Sequence, residues 1–312
     1  MDSAGAAPKK VARSPLATGL VLATAGAIAF SGKAIIVKLA YRHGVDAVTL
    51  IMLRMVFALP FFLVMVWWSG RSRAGVAPVT LTPKDWWGIL GLGLTGYYLA
   101  SFLDFAGLQY ITASLERLIL YLNPTLVLLL GWGLVGRRIR APQAWGMGIS
   151  YVGVLLVFGH EVMLQGADVG LGALLVFLSA VSYAIYLFYS GQLVQRLGAL
   201  RLVGLATSVA CGLCIAQYVA LRPLDTVLSV APQVVWLSVL NATLCTVLPV
   251  MLVMMAIERI GSSLAAQVGM VGPMSTMLMG VLLLGEPFTL WLVCGTGLVM
   301  AGVAVCSRAR AG

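Results

Sequence analysis

Ten apolar runs, each near the length that crosses a bilayer, dominate this chain. They fall at roughly 16–39, 47–68, 86–108, 112–134, 143–159, 170–190, 201–221, 232–255, 262–284 and 289–306. A helix rises 1.5 Å per residue, so about 20 residues span the hydrocarbon core. The fifth and tenth runs are the shortest, and the connections are short too. Of 312 residues, 61 % are hydrophobic and 10 % charged, against roughly 25 % charged in a soluble domain. So few polar side chains cannot cover a soluble surface of this size, which excludes the ordinary soluble enzyme classes. The fold class expected is an all-α integral membrane protein with ten transmembrane helices. The run from Leu16 is too long for the apolar core of a secretory signal.

The net charge of +10 would suggest nucleic acid in a soluble protein. Here the basic residues lie between the apolar runs, so no nucleic-acid partner is expected and the lipid bilayer is the surrounding phase. One side of the threaded chain carries Lys9, Lys10, Arg13, Arg71, Arg73, Lys84, Arg137, Arg138, Arg140, Arg196, Arg201, Arg259, Arg308 and Arg310. The other carries Arg42 and Arg222, with Glu161, Asp168 and Glu286 nearby. The positive-inside bias then puts the N-terminal tail (1–15), the C-terminal tail (307–312) and the connection at 69–85, with Gly70, Gly75, Pro78 and Pro83, in the cytoplasm. Trp67, Trp68, Trp86 and Trp87 read as interface anchors on that side.

Five cysteines, Cys211, Cys214, Cys245, Cys294 and Cys306, fall in or at the ends of apolar runs. An odd number in such places argues against a disulfide framework. His43 and His160 lie in short connections without companions of metal-ligand type. No metal and no cofactor is expected.

The chain repeats. The stretch GLQYITASLERLILYLNPTLVLLLGWGLVGRRIRAPQAWGMGISYVG from Gly107 aligns without a gap with AIERIGSSLAAQVGMVGPMSTMLMGVLLLGEPFTLWLVCGTGLVMAG from Ala256, an offset of 149 residues. The register pairs Ile111 with Ile260, Ser114 with Ser263, Leu115 with Leu264, Pro124 with Pro273, Gly136 with Gly285, and Gly146, Gly148 and Gly153 with Gly295, Gly297 and Gly302. Five helices is an odd number, so a second copy (170–306) enters the membrane from the side opposite to the first (16–160). Two inverted repeats around one central site are the architecture of alternating-access transporters. A membrane-embedded enzyme or a sensor is the alternative from another class. The chain offers neither a convergent His, Asp or Cys constellation at one surface nor a soluble domain.

Pro124 and Pro273 fall near the middle of the fourth and ninth spans. Each removes a backbone donor, which should free the carbonyls of Leu120 and Gly269 and kink the helix, either as a plain bend or as a gating element. Glycines 91, 93, 96, 146, 148, 153, 295, 297 and 302 read mainly as packing positions. Contact between two copies at the fifth and tenth spans is the alternative, though a monomer suffices. Gly91, Gly93 and Gly96 match a dinucleotide-binding fingerprint in letters only, inside a span with no strand before it.

Charged side chains inside spans are costly and usually functional. Lys33 and Lys38 in the first span, Arg54 in the second, Asp104 in the third, and Glu116 and Arg117 in the fourth gather toward the non-cytoplasmic side of the first half. They either form ion pairs and snorkel to the outer headgroups, or bind a substrate carboxylate or relay a proton. Lys33 is the deepest and the leading candidate: Lys33→Met should impair transport and leave folding intact. Asp104 and Glu116 read as near the outer surface, which favours facilitated export over proton antiport. Tyr97, Tyr98, Asn123, Tyr183, Tyr186, Asn241, Thr243 and Thr246 are the mid-depth candidates for lining a cavity that suits an amphipathic or aromatic solute.

The run from Ala106 to Val157, its repeat from Met255 to Val305, and the element Gly285, Glu286, Pro287 resemble the EamA-type domains of the drug/metabolite transporter superfamily. The first copy departs at Arg137 and Arg138, which follow Gly136. ASLERLILYLNPTLVLLL from Ala113, FLDFAGLQYI from Phe102 and Lys33 make the chain most similar to bacterial aromatic amino acid exporters. The resemblance implies ten helices in two inverted repeats, cytoplasmic termini, an inner-membrane location and a central cavity. It also implies export of phenylalanine, tyrosine, tryptophan or related compounds such as methyl viologen. A proton-coupled multidrug or nucleobase exporter is the rival within the superfamily.

Overall fold

The computed structural model describes residues 15–70 and 80–311. Lys9, Lys10, Arg13, Arg71, Arg73, Gly75 and Pro78, which entered the charge and loop readings, lie outside the described residues. The described chain is all helix and connection: α1 (Pro15–Tyr41), α2 (Ala47–Ser69), α3 (Pro83–Gly107), α4 (Ala113–Val135), α5 (Ala141–Gln165), α6 (Asp168–Leu197), α7 (Ala199–Leu221), α8 (Pro232–Gly261), α9 (Val271–Leu284) and α10 (Leu290–Ala311). Among the described residues nine helices are long and apolar enough to cross a membrane, and α9 is a shorter apolar one. The fifth run, expected to be among the shortest, is a 25-residue helix, because Pro142 at its first turn and polar Gln143 and His160 sit comfortably near its ends.

Local chemistry sets the boundaries. Asp46 caps α2 by accepting from the amides of Val48 and Thr49. Thr82 and Asp85 form a capping box at the start of α3. Thr112 caps α4. The α4 and α9 helices close alike: Gly136 and Gly285 take φ of 67° and 72°, and the next amides, of Arg137 and Glu286, reach back to the carbonyls of Gly131 and Gly280 at 3.1 Å. These are left-handed glycine caps with a reach one residue longer than in a Schellman motif, and their positions differ by the 149-residue offset of the repeat.

The expected kink in α4 is a full interruption. Helix runs over Ala113–Leu120, breaks at Tyr121 and Leu122, and restarts at Asn123 with Pro124 in its first turn. A proline there has no intrahelical partner to lose. The equivalent break falls at Gly269 and Met270, before Pro273. Each of α3 and α8 carries one turn of π-helix, over Leu94–Leu99 and Thr243–Val247, again one repeat offset apart. Gly261, with φ of 77°, separates α8 from the short lead-in to α9.

The helices pair as α1 with α8, α3 with α6, α2 with α7 and α5 with α10, while α4 packs mainly on α6 and α9 on α1, with a smaller contact between α4 and α9. Two main cores result. One gathers α1, α2, α7 and the end of α3 around Ile51, Met55, Phe105 and Tyr218. The other gathers α4, α5, α6 and α10 around Leu115, Leu118, Val176 and Val299. The α5–α10 contact is a glycine seam. A Cβ on Gly146 would lie 2.6 Å from the Gly302 carbonyl oxygen, and one on Gly153 would lie 2.7 Å from that of Gly295. Between them the Ser150 hydroxyl points at the Val299 carbonyl, 3.4 Å away. Gly146, Gly153, Gly295 and Gly302 thus meet within one chain, while Gly148 and Gly297 face open space. Large apolar side chains such as Leu63, Leu155 and Leu282 face outward, as lipid-facing positions do.

Candidate functional site

Five of the charged side chains singled out from sequence converge inside the first half. Lys33 of α1 places its Nζ 2.6 Å from Asp104 Oδ2 of α3 and 3.2 Å from Glu116 Oε1 of α4. The three residues are 7 %, 2 % and 0 % exposed. The expected snorkelling to headgroups therefore does not occur for this trio, and Asp104 and Glu116 are enclosed by neighbouring helices rather than presented at a surface. Ion pairs in such a setting must satisfy their remaining polar atoms to repay desolvation.

They do so incompletely. Asp104 and Glu116 lie within hydrogen-bond reach of each other, but no other donor reaches Asp104 Oδ1 or Glu116 Oε2, and Glu116 Oε1 has the Lys33 ion pair without hydrogen-bond geometry. Arg54 of α2 donates through Nε to the Thr246 hydroxyl of α8 at 3.1 Å, stands 5.2 Å from the Phe105 ring centre, and leaves Nη1 without a partner. The Thr246 hydroxyl itself donates to the Asn241 carbonyl, five residues back, within the π turn of α8. Arg117 of α4 lies over the rings of Phe30 and Tyr121, touches the Ser31 hydroxyl at 3.4 Å, and leaves Nε unpartnered. The Asn241 side-chain amide and Asn123 Oδ1 are unpartnered as well. So many unsatisfied buried polar atoms in one region are unusual for a purely structural network.

The break in α4 is built into this site. The Tyr121 hydroxyl donates to the Gly269 carbonyl at 2.5 Å, the group that Pro273 was expected to release. The Ser31 hydroxyl reaches the Gly272 carbonyl at 2.9 Å. The two interrupted helices thus face each other across α1.

Other candidates separate from this cluster. Tyr97, Tyr183 and Tyr186 form their own group: the hydroxyls of Tyr97 and Tyr186 are 3.2 Å apart, and Tyr183 stacks on Tyr186 with ring centres 5.4 Å apart. Tyr97 and Asp104 are seven residues apart on α3, which separates the two groups by roughly 10 Å along the helix. Tyr98 joins the apolar core around α1 and α2 instead. Thr243 is occupied by the carbonyl of Val239 in its own helix. Lys38 clamps the α3–α4 connection, donating to the carbonyls of Leu108 and Ile111 at 3.2 and 2.9 Å.

Two carboxylates went unassigned in the sequence reading. Glu286, in the α9–α10 connection, accepts from the Ala113 amide at 2.7 Å and the Ser114 hydroxyl at 2.6 Å. Glu161, near the end of α5, accepts from the Thr112 hydroxyl. Both sit where the α4 dipole and free amides favour an anion. The motif around Glu286 was visible in sequence, but its partner lies 173 residues away. Arg42 donates to the Leu284 carbonyl at 2.7 Å, and Arg222 lies 3.4 Å from Asp46, at the same end of the bundle. At the opposite end, Arg196 of α6 pairs with Asp85 of α3 at 2.7 Å. Among the described residues no group of three or more His, Cys, Asp or Glu is arranged to hold a metal.

Known proteins place this geometry in context. Residues 17–159 and again 170–308 match the EamA-like transporter family. The uncharacterized transporter YcbK of Bacillus subtilis is 29 % identical over 90 % of each chain. An uncharacterized transporter of Archaeoglobus fulgidus is 25 % identical over 73 % of this chain and 79 % of its own. A solved crystal structure superposes with a TM-score of 0.63 over 95 % of this chain and 99 % of that one, at 17 % identity, a likeness of fold alone. The two family matches cover nearly the whole length, so this chain belongs to the EamA-like transporter family and is a multi-pass membrane transporter of small molecules, not an enzyme.

Proposed function

We propose that the protein exports small amphipathic metabolites, foremost aromatic amino acids, across the cell inner membrane by alternating access of two inverted five-helix repeats, 16–160 and 170–306. The observation that carries the reading is the buried cluster of Lys33, Arg54, Asp104, Glu116 and Arg117 with its unpartnered polar atoms. Three cations and two carboxylates suit a zwitterion. Arg54 Nη1 and Arg117 Nε are left to take a carboxylate, and Asp104 Oδ1 and Glu116 Oε2 to take an ammonium group. The tyrosine group of Tyr97, Tyr183 and Tyr186 offers aromatic surface about two turns further along α3, while Asn241 and Thr246 lie on the Arg54 side and Asn123 stands where α4 restarts. Buried sites combine apolar walls with a few placed polar groups in this way.

Several features support inverted repeats with ten crossings, the tenth made by α9 with its lead-in at 262–268. Exchanging the first five helices for the last five turns the α1–α8 pair into α6–α3 and returns α2–α7, α4–α9 and α5–α10 to themselves. The π turns begin, and the glycine caps fall, at the same offset, and each proline follows a break that ends two or three residues before it. π turns cluster at functional positions. Positive-inside counting favours cytoplasmic termini. Glu286, Arg42 and Asp46–Arg222 tie the halves together at the other, outer end, against Arg196–Asp85 at the inner end. That distribution favours a conformation closed to the outside. Pro124 and Pro273, at the facing breaks, are then the gating positions.

A second reading, proton-coupled export of drugs or nucleobases, is favoured by Asp104 and Glu116 sharing one lysine. Purified protein in liposomes, supplied with labelled phenylalanine and tryptophan with and without a pH gradient, separates the two. Saturable uptake without a gradient is expected. Uptake only with the gradient would establish proton exchange, and none under either condition would remove aromatic amino acids as substrates.

A further inference from the structure

Between the second part of α4 and α6 runs an open apolar groove of about 320 Å³. Leu126, Leu129, Leu130, Gly133, Leu134 and Val181 line it. The volume lies at the low end of small-ligand sites, about 300–1,000 Å³, but such sites carry polar groups that fix a solute's orientation. None of these six side chains is polar. An acyl chain needs no such group.

What lies at the end of the groove identifies the occupant. The α4 helix stops at Gly136, and Arg137, Arg138 and Arg140 follow at once, all exposed. The Arg137 stem folds back along α4, its Cδ 3.5 Å from where a Cβ on Gly131 would stand. Among the described residues no carboxylate pairs with Arg137 or Arg138. Trp132 and Trp145, 58 % and 74 % exposed, flank the same turn and mark the headgroup level.

We propose that this groove holds one acyl chain of an anionic phospholipid, with its phosphate gripped by Arg137 and Arg138. Lipid tails are as apolar as leucine, so the groove alone offers little preference between lipids. Selectivity comes from the guanidinium–phosphate contact, which Arg makes with two parallel donors, and from the lipid's net negative charge. The site is separate from the buried charge cluster and does not depend on which solute is exported.

The test uses the full-length protein in detergent, offered equal amounts of phosphatidylglycerol and phosphatidylcholine with matched chains, and native mass spectrometry of what stays bound. Phosphatidylglycerol should be retained about 10-fold over phosphatidylcholine. The double variant R137Q/R138Q, on exposed positions, should bring the ratio close to one. G133L, at a helix position where an added Cβ meets nothing within 4 Å, should reduce retention of both lipids. Equal retention by the native chain overturns the proposal, as does a preference that survives R137Q/R138Q. Full retention by G133L, or a dimer that forms at this face in place of bound lipid, overturns it too.

Discussion

The two halves of the chain share backbone devices and differ in chemistry. Both have a π turn in the third helix, a break before the proline of the fourth, and a left-handed glycine cap after it. Yet where the first half has Asp104, Glu116 and Arg117, the second has Val253, Ala265 and Ala266. Bends and caps can be duplicated at little cost, because each satisfies its own backbone. A buried charge cluster cannot, since every ion removed from water carries a desolvation penalty of several kcal/mol. One buried charge cluster in a doubled scaffold is the cheaper arrangement.

The sharpest way to break this comparison is to make the first half resemble the second. Lys33→Met leaves Asp104 and Glu116 enclosed without their cation, so unfolding in detergent should shift by about 3–5 kcal/mol and transport should cease. Burial thus revises the sequence-based expectation that this change spares folding. Adding Asp104→Asn and Glu116→Gln should restore most of the stability but not transport. A single variant as stable as the parent would show that the trio is not held by its charges.

A smaller effect tests the shared scaffold. Gly146→Ala and Gly295→Ala, equivalent in the repeat, should each destabilise by about 1–3 kcal/mol, because the added methyl meets a facing carbonyl. Gly148→Ala and Gly297→Ala, which face open space, should stay within about 0.5 kcal/mol of the parent. Clearly unequal losses within the first pair would deny that the two halves meet as equivalents.

The smallest effect lies at the surface tie between the halves. Burial raises the Asp46 carboxyl, but hydrogen bonds from the Thr49 hydroxyl and amide, with Arg222 nearby, outweigh it and hold the group below the ordinary carboxylate range. A lowered carboxylate contributes stability above its unfolded value and loses it as pH falls through the folded one. Asp46→Ala should cost about 1 kcal/mol at neutral pH, typical of a lost helix cap, and the difference should vanish in acid. A gap that persists undiminished below the range of carboxylate titration would assign the loss to packing.

Hydropathy made the helices legible because each run had to match a bilayer. The charged candidates were legible because lysine, arginine and carboxylates are rare in spans. What spacing could not convey was mutual approach. Asp104 and Glu116 read as near the outer surface, yet neighbouring helices close around them and Lys33. Glu286 and Ala113 are far apart in the chain, so no local pattern marks that bond. The π turns leave no periodic trace, since one inserted residue shifts a face without changing composition. Lys38, grouped with the buried charges by type, turned out to hold carbonyls at a connection.

The seam of Gly146, Gly153, Gly295 and Gly302 has one more consequence. Its contacts return to themselves when the halves trade places, with Ser150 and Val299 at the midpoint. Two conformations that differ by such a trade hold an identical set of contacts there. In the alternating access proposed above, the seam would then be a fulcrum: the part of the molecule that need not let go while everything around it changes sides.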